Sequence, residues 1–168
     1  MKRRMLNAFI RTMPQHKAHK MKLIGRREFV DFPLLGMHGM EAKIDTGAYT
    51  SSLHCENIII NYENTKAILY FTLTQKESKV LRFEEFTQKK IKNSFGEMEE
   101  RYVIKTLIKV GRKKVMSTIS LSNRDNLRYP VLIGRRLLKG KFLIDVNQIH
   151  TGGIDLNKAI YLLNTKPI

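Results

Sequence analysis

A single cysteine, Cys55, is all that the 168 residues supply, so an intrachain disulfide is excluded, and no Cys/His cluster has the spacing of a structural zinc site. Long apolar runs are missing as well. Ile58-Ile59-Ile60 is closed by Asn57 and Asn61, far short of the roughly 18 residues that a spanning helix needs, so no membrane crossing is expected. Acidic residues are scarce, with 15 Asp+Glu against 31 Lys+Arg and a formal net charge of +16. The chain also lacks a zinc finger, a helix-turn-helix pattern and an aromatic ribonucleoprotein signature, so base-specific reading of nucleic acid has no support. What is present is a hydrophobic content of 42%, enough for a packed core in a chain whose length fits one domain. Stability must come from packing, within the chain or against a partner subunit.

The charge is unevenly placed. Residues 1–27 hold nine Lys/Arg and no acid, and 105–141 hold eleven against one, whereas 28–104 are slightly acidic. The opening stretch begins like a secretory leader, but Asn7 and Arg11 cut its apolar part below about 7 residues. It reads as a basic flexible arm over 1–20, with Pro14 and no periodicity, and a cytoplasmic location follows as the expectation. The second basic stretch suits any polyanion by long-range attraction, nucleic acid included, or is a solvated face with no partner at all.

From Met21 onward the pattern is one of short β-type runs separated by turn residues. Strands are expected over Leu23 to Val30, Met40 to Ile44, Ala67 to Leu73, Val80 to Phe86, Tyr102 to Val110, Lys114 to Leu121, Val131 to Ile133 and Phe142 to Ile144. Gly111-Arg112-Lys113 reads as a hairpin turn and Asn93-Ser94-Phe95-Gly96 as another turn. Arg135 to Lys139, closed by Gly140, is the one good place for a short helix. The fold class is mostly β, as one domain over 21–168.

Two segments carry the chemistry. Asp45-Thr46-Gly47 directly follows a strand, a placement that can hold a carboxylate at a sheet edge, with Gly47 allowing close backbone approach and Thr46 offering a hydrogen bond to fix the loop. Alone, the triplet reads as a plain turn. Far downstream, Val131-Leu132-Ile133-Gly134-Arg135-Arg136-Leu137-Leu138 adds an apolar triplet, a glycine and a Leu-rich helical turn, and the ordered pair is much rarer than either piece. Here the sequence resembles the retropepsin-like aspartic proteases. It resembles more closely a bacterial branch labelled ATP-dependent zinc proteases and associated with glutamate ligases of the ATP-grasp type. Further blocks carry this resemblance: Ile24-Gly25-Arg26-Arg27-Glu28, Ala42 to His54, Glu100-Arg101-Tyr102-Val103-Ile104, and Leu121-Ser122-Asn123-Arg124 leading into Tyr129-Pro130. Tyr49 stands where that branch is expected to carry Arg.

The resemblance implies a retropepsin-like acid-protease barrel and an aspartic peptidase with Asp45, Thr46 and Gly47 in its active-site loop. No phosphate-binding loop and no His-Glu-x-x-His pair accompanies the branch's label, so no cofactor and no metal site is expected. His54 and Cys55 are adjacent and read as one polar contact and one packed thiol. Aspartic-protease chemistry needs two carboxylates about 3 Å apart sharing a proton, and this chain offers one Asp-Thr-Gly loop. The second carboxylate is expected from a symmetric partner, making a homodimer with an Asp45/Asp45' dyad. Arg101, Arg124 and Arg135 flank the loop as candidates for binding an acidic or glutamate-rich peptide through its carboxylates, or they tie the fold together through backbone carbonyls and acids such as Asp125. An ATP-grasp ligase is the protein partner that the resemblance suggests. Two rivals stay open: a module on the same fold that binds a peptide or partner without cutting, and a basic nucleic-acid-binding protein.

Overall fold

The computed structural model describes residues 21–73, 79–92, 96–123 and 128–155. The basic arm expected at 1–20, most of the turn at 93–96, and Arg124 and Asp125 lie outside these residues. The first strands are β1 (Lys22–Gly25), β2 (Arg27–Phe32), β3 (Met37–Ile44) and β4 (Ser51–His54). They are followed by β5 (Glu56–Glu63), β6 (Lys66–Leu73), β7 (Lys79–Phe83) and β8 (Phe86–Lys92). The long β9 (Met98–Val110) and β10 (Lys113–Ser122) precede β11 (Val131–Ile133), the helical turn α1 (Arg135–Leu138), β12 (Phe142–Asp145) and β13 (Ile154–Asp155).

Six of the strands close on themselves. In the order β10-β4-β11-β3-β2-β9, each pairs with the next, and β9 returns to pair with β10, which completes a mostly β barrel with no free edge in the ring. The strand β8 extends the wall beyond β9, while β5-β6-β7 and β12-β1-β13 form two smaller sheets. Alternation on β9 explains its place: Ile104, Thr106, Ile108 and Val110 are buried, while Lys105 is exposed. Facing them in the core are Val30, Ala42, Leu53, Ile119, Val131 and Ile133.

Two of the expected runs are divided. Leu23 to Val30 becomes β1 and β2, in different sheets, because the chain changes partners at Arg26: its N–H donates to Gln148 O and its carbonyl accepts from Ile44 N–H. Val80 to Phe86 breaks at Glu84-Glu85, so β7 joins β6 and β8 joins β9. The hairpin and the helical turn form where expected. At the hairpin, Gly111 has φ +56°, and a Cβ there would sit 1.9 Å from Gly152 O, so only glycine lets the turn pack on the 152–153 backbone.

Candidate active site

The strand β3 runs out of the barrel into the Asp45-Thr46-Gly47 loop, and β4 brings the chain back. Between the two lies β11, parallel to β3 with Ile133 beside Ile44, and antiparallel to β4 with Leu132 beside Ser52. Being flanked on both sides explains its three apolar residues, of which Val131 and Ile133 are fully buried. The backbone of Asp45 is fixed by this strand, since Asp45 N–H donates to Ile133 O at 3.0 Å.

The side chain of Asp45 is oriented by its own loop. Its Oδ1 accepts the N–H groups of Gly47 at 2.9 Å and Ala48 at 3.2 Å, an arrangement that suits a negatively charged oxygen. Among the described residues no donor reaches Oδ2. The Thr46 hydroxyl makes no hydrogen bond there either, and the expected tether is supplied by its carbonyl instead: Arg135 Nη1 donates to Thr46 O and Gly47 O, both at 2.7 Å. Arg135 N–H and Arg136 N–H bond to Ala48 O and Tyr49 O, and Gly134 N–H donates to Ser51 Oγ at 3.0 Å. At Gly134 a Cβ would lie 2.8 Å from Thr50 and Tyr49 backbone atoms, so a side chain there would push the loop away. The Asp-Thr-Gly segment and the apolar-Gly segment, distant in sequence, are thus one hydrogen-bonded unit.

Asp45 lines a cleft of about 830 Å³ on the outer face of the barrel wall. Its floor is a row of residues in register across four strands: Lys43 beside Leu132, Leu132 beside Ser52, and Ser52 beside Ser120. Lys43 points outward because its neighbours Ala42 and Ile44 fill the core. Four cations, Lys43, Arg101, Arg128 and Arg135, share the lining with Asp45, its one carboxylate among the described residues. Such a cleft attracts anions and places them near a fixed carboxylate.

Of the residues singled out in the sequence, Asp45, Gly47, Arg101 and Arg135 meet in this cleft, and Thr46 holds its rim through its carbonyl. Arg124 lies outside the described residues. Arg101 also donates to Glu99 at 2.6 Å. Sequence reasoning missed Lys43, Arg128, Ser120 and Ser122. Alternation on β3 could have placed Lys43 on the same side as Asp45, whereas the serines come in only through the pairing of β4 with β10.

Cys55 is fully buried, with its Sγ toward Leu53 O, and burial pushes its thiol up to about 12. That is the packed thiol expected, and no nucleophile. Among the described residues no group of three or more His, Cys, Asp or Glu side chains comes together as a metal site, and no helix is long and apolar enough to cross a membrane.

Comparison with known proteins agrees with this geometry. The RimB-like family, described as retropepsin-like aspartic endopeptidase RimB, matches residues 23–151. A protein of Shewanella halifaxensis named probable alpha-L-glutamate ligase is 36% identical over 131 residues, which are 75% of this chain and 29% of that protein. One of the same name from Parasynechococcus marenigrum is 32% identical over 136 residues, 78% of this chain and 29% of its own length. The chain therefore spans less than a third of the length of these curated relatives. The crystal structure of a Legionella pneumophila protein of unknown function superposes with a TM-score of 0.65 at 27% identity, covering 78% of this chain and 98% of that one.

Proposed function

The chain belongs to the RimB-like family of retropepsin-like aspartic endopeptidases, and we propose that it works as one, a homodimer cutting acidic or glutamate-rich peptides with Asp45 of each subunit. The observation that carries this is the state of Asp45 itself: one carboxylate oxygen locked by two backbone N–H groups, the other without a donor among the described residues, in a cleft otherwise cationic. In the dyad, one Asp45 carboxylate takes a proton from water as the water oxygen attacks the scissile carbonyl carbon. The other gives its proton to the carbonyl oxygen, and the tetrahedral intermediate collapses with proton transfer to the leaving amine. Arg135 is the positioning residue of this scheme, because it holds the two carbonyls of the loop. The cationic lining favours substrates that carry carboxylates.

The relatives named as ligases hold a stretch similar to this chain within a much longer one, which supports an ATP-grasp ligase as a working partner, and a cytoplasmic location belongs to the same proposal. The test is turnover of a peptide library by wild type and by Asp45→Asn. Hydrolysis lost in the variant, with fold and dimer retained, supports the assignment, and equal rates in both would refute it. A second reading is favoured by the lone carboxylate that one chain contributes: a module that holds acidic peptides without cutting them. Tight binding with no products from either protein would favour that reading.

A further inference from the structure

At the end of the cleft away from Asp45, two donors have no partner among the described residues. Arg101 Nε and Ser122 Oγ are closed off from solvent and make no hydrogen bond among the described residues. Both residues line the cleft, and Ser122 is only 4% exposed. Among the described residues the other such atoms belong to Thr106 and Thr118, neither of which lines the cleft. A buried donor without an acceptor is costly, and an inserted carboxylate would satisfy both of these.

The two donors belong together. The pairing of β9 with β10 ends with Ser120 beside Val103, and the same register carried two residues further sets Ser122 opposite Arg101. The Arg101 guanidinium is engaged at Nη2 by Glu99, while its Nε–H is left without an acceptor among the described residues. Arg128 adds positive charge to the lining. We infer that this end of the cleft is a carboxylate subsite, formed by Arg101 and Ser122, that binds an acidic group of the substrate remote from the bond being cut.

Its distance from Asp45 follows from the strands. Asp45 lies two residues to one side of the floor row formed by Lys43, Leu132, Ser52 and Ser120, and Ser122 lies two residues to the other side. Four residues along the strands are about 13 Å, and the three spacings from β3 through β11 and β4 to β10 are about 14 Å. With the curvature of the wall, the separation is roughly 15–20 Å, which an extended peptide covers in about four to six residues. The subsite therefore reads a carboxylate about that many residues from the scissile bond. It rests on the peptidase reading for the bond, but not for the binding.

The experiment uses neutral peptides long enough to span the cleft, each with one Glu at a different position, beside matched peptides with Gln there, as free acids and as C-terminal amides. Wild-type turnover followed by mass spectrometry gives both rate and bond. The expected result is a preference for Glu over Gln of about tenfold in kcat/KM, with the cut about four to six residues from the Glu, and collapse of that preference in Ser122→Ala and Arg101→Gln. A preference for free acid over amide assigns the bound carboxylate to the chain end instead of a side chain. Ser122→Ala should melt no lower than wild type, since it removes an unsatisfied buried hydroxyl. A Glu/Gln ratio of one in wild type, a ratio that survives both substitutions, or a cut next to the Glu would overturn the subsite. Fluorescence anisotropy of the same peptides on Asp45→Asn separates the two ideas. Glu-selective binding without any cleavage by wild type sinks the peptidase and keeps the subsite, and cleavage without selectivity does the reverse.

Discussion

The guanidinium of Arg135 donates to the carbonyl oxygen of Thr46 at 2.7 Å across a sequence separation of 89 residues, and to that of Gly47 at the same distance. These are charge-assisted bonds made at the surface, so they add little to stability, about 1 kcal/mol at most after solvent screening. Their effect falls on the position of Asp45. Arg135→Met should therefore leave thermal unfolding nearly unchanged and lower kcat by roughly tenfold or more, since a loop displaced by about 1 Å misaligns the reacting groups. Steady-state kinetics on neutral and acidic peptides checks it. A rise in KM confined to acidic peptides would show that Arg135 meets the substrate instead.

Glu28 is 1% exposed, and four donors converge on its carboxylate: Gly25 N–H at 2.7 Å, Thr151 N–H at 2.9 Å, Thr151 Oγ1 at 2.6 Å and Gly152 N–H at 3.1 Å. These bonds bind the β1–β2 junction to the segment on which the Gly111 hairpin packs. A glutamine has only one acceptor oxygen, and its amide nitrogen would face an N–H. Glu28→Gln should cost about 2–3 kcal/mol in urea denaturation. An unchanged midpoint would mean that this carboxylate does not anchor the segment.

Much of this barrel is legible in the sequence where apolar residues alternate or cluster, as on β9, β10 and β11. The strands that escape are those whose partners decide them. Ser51-Ser52-Leu53-His54 has too few apolar residues to stand out as a strand, yet becomes β4 because β10 and β11 lie on either side. The strand β8, with Lys89 and Lys90, pairs with β9 alone among the described residues and carries the charge of a sheet edge, and β5 carries Glu and Asn at its ends. The site divides in the same way. The Asp45 loop and the Gly134 turn are local motifs, but the row from Lys43 to Ser120 exists only once four strands are in register.

Cys55 gives a prediction that depends on pH. Burial holds its folded thiol protonated up to about 12, while an unfolded thiol ionises near 8.5. Above that lower value the unfolded chain binds fewer protons than the native one, so stability falls as pH rises, by about 1.4 kcal/mol at one unit above it. Cys55→Ala should remove this part of the alkaline slope between pH 8 and 10 in chemical denaturation. Folded protein at pH 8 should also resist iodoacetamide and react once urea unfolds it. Rapid alkylation of the native protein would contradict the burial.

The shared dyad is tested most directly by mixing wild type with Asp45→Asn under conditions in which subunits exchange. If each active site takes one Asp45 from each chain, mixed dimers are inactive, and activity per wild-type chain should fall in proportion to the wild-type fraction. Activity per wild-type chain that stays constant as Asp45→Asn is added in excess would show that a single chain carries out the reaction, and would contradict the two-subunit site.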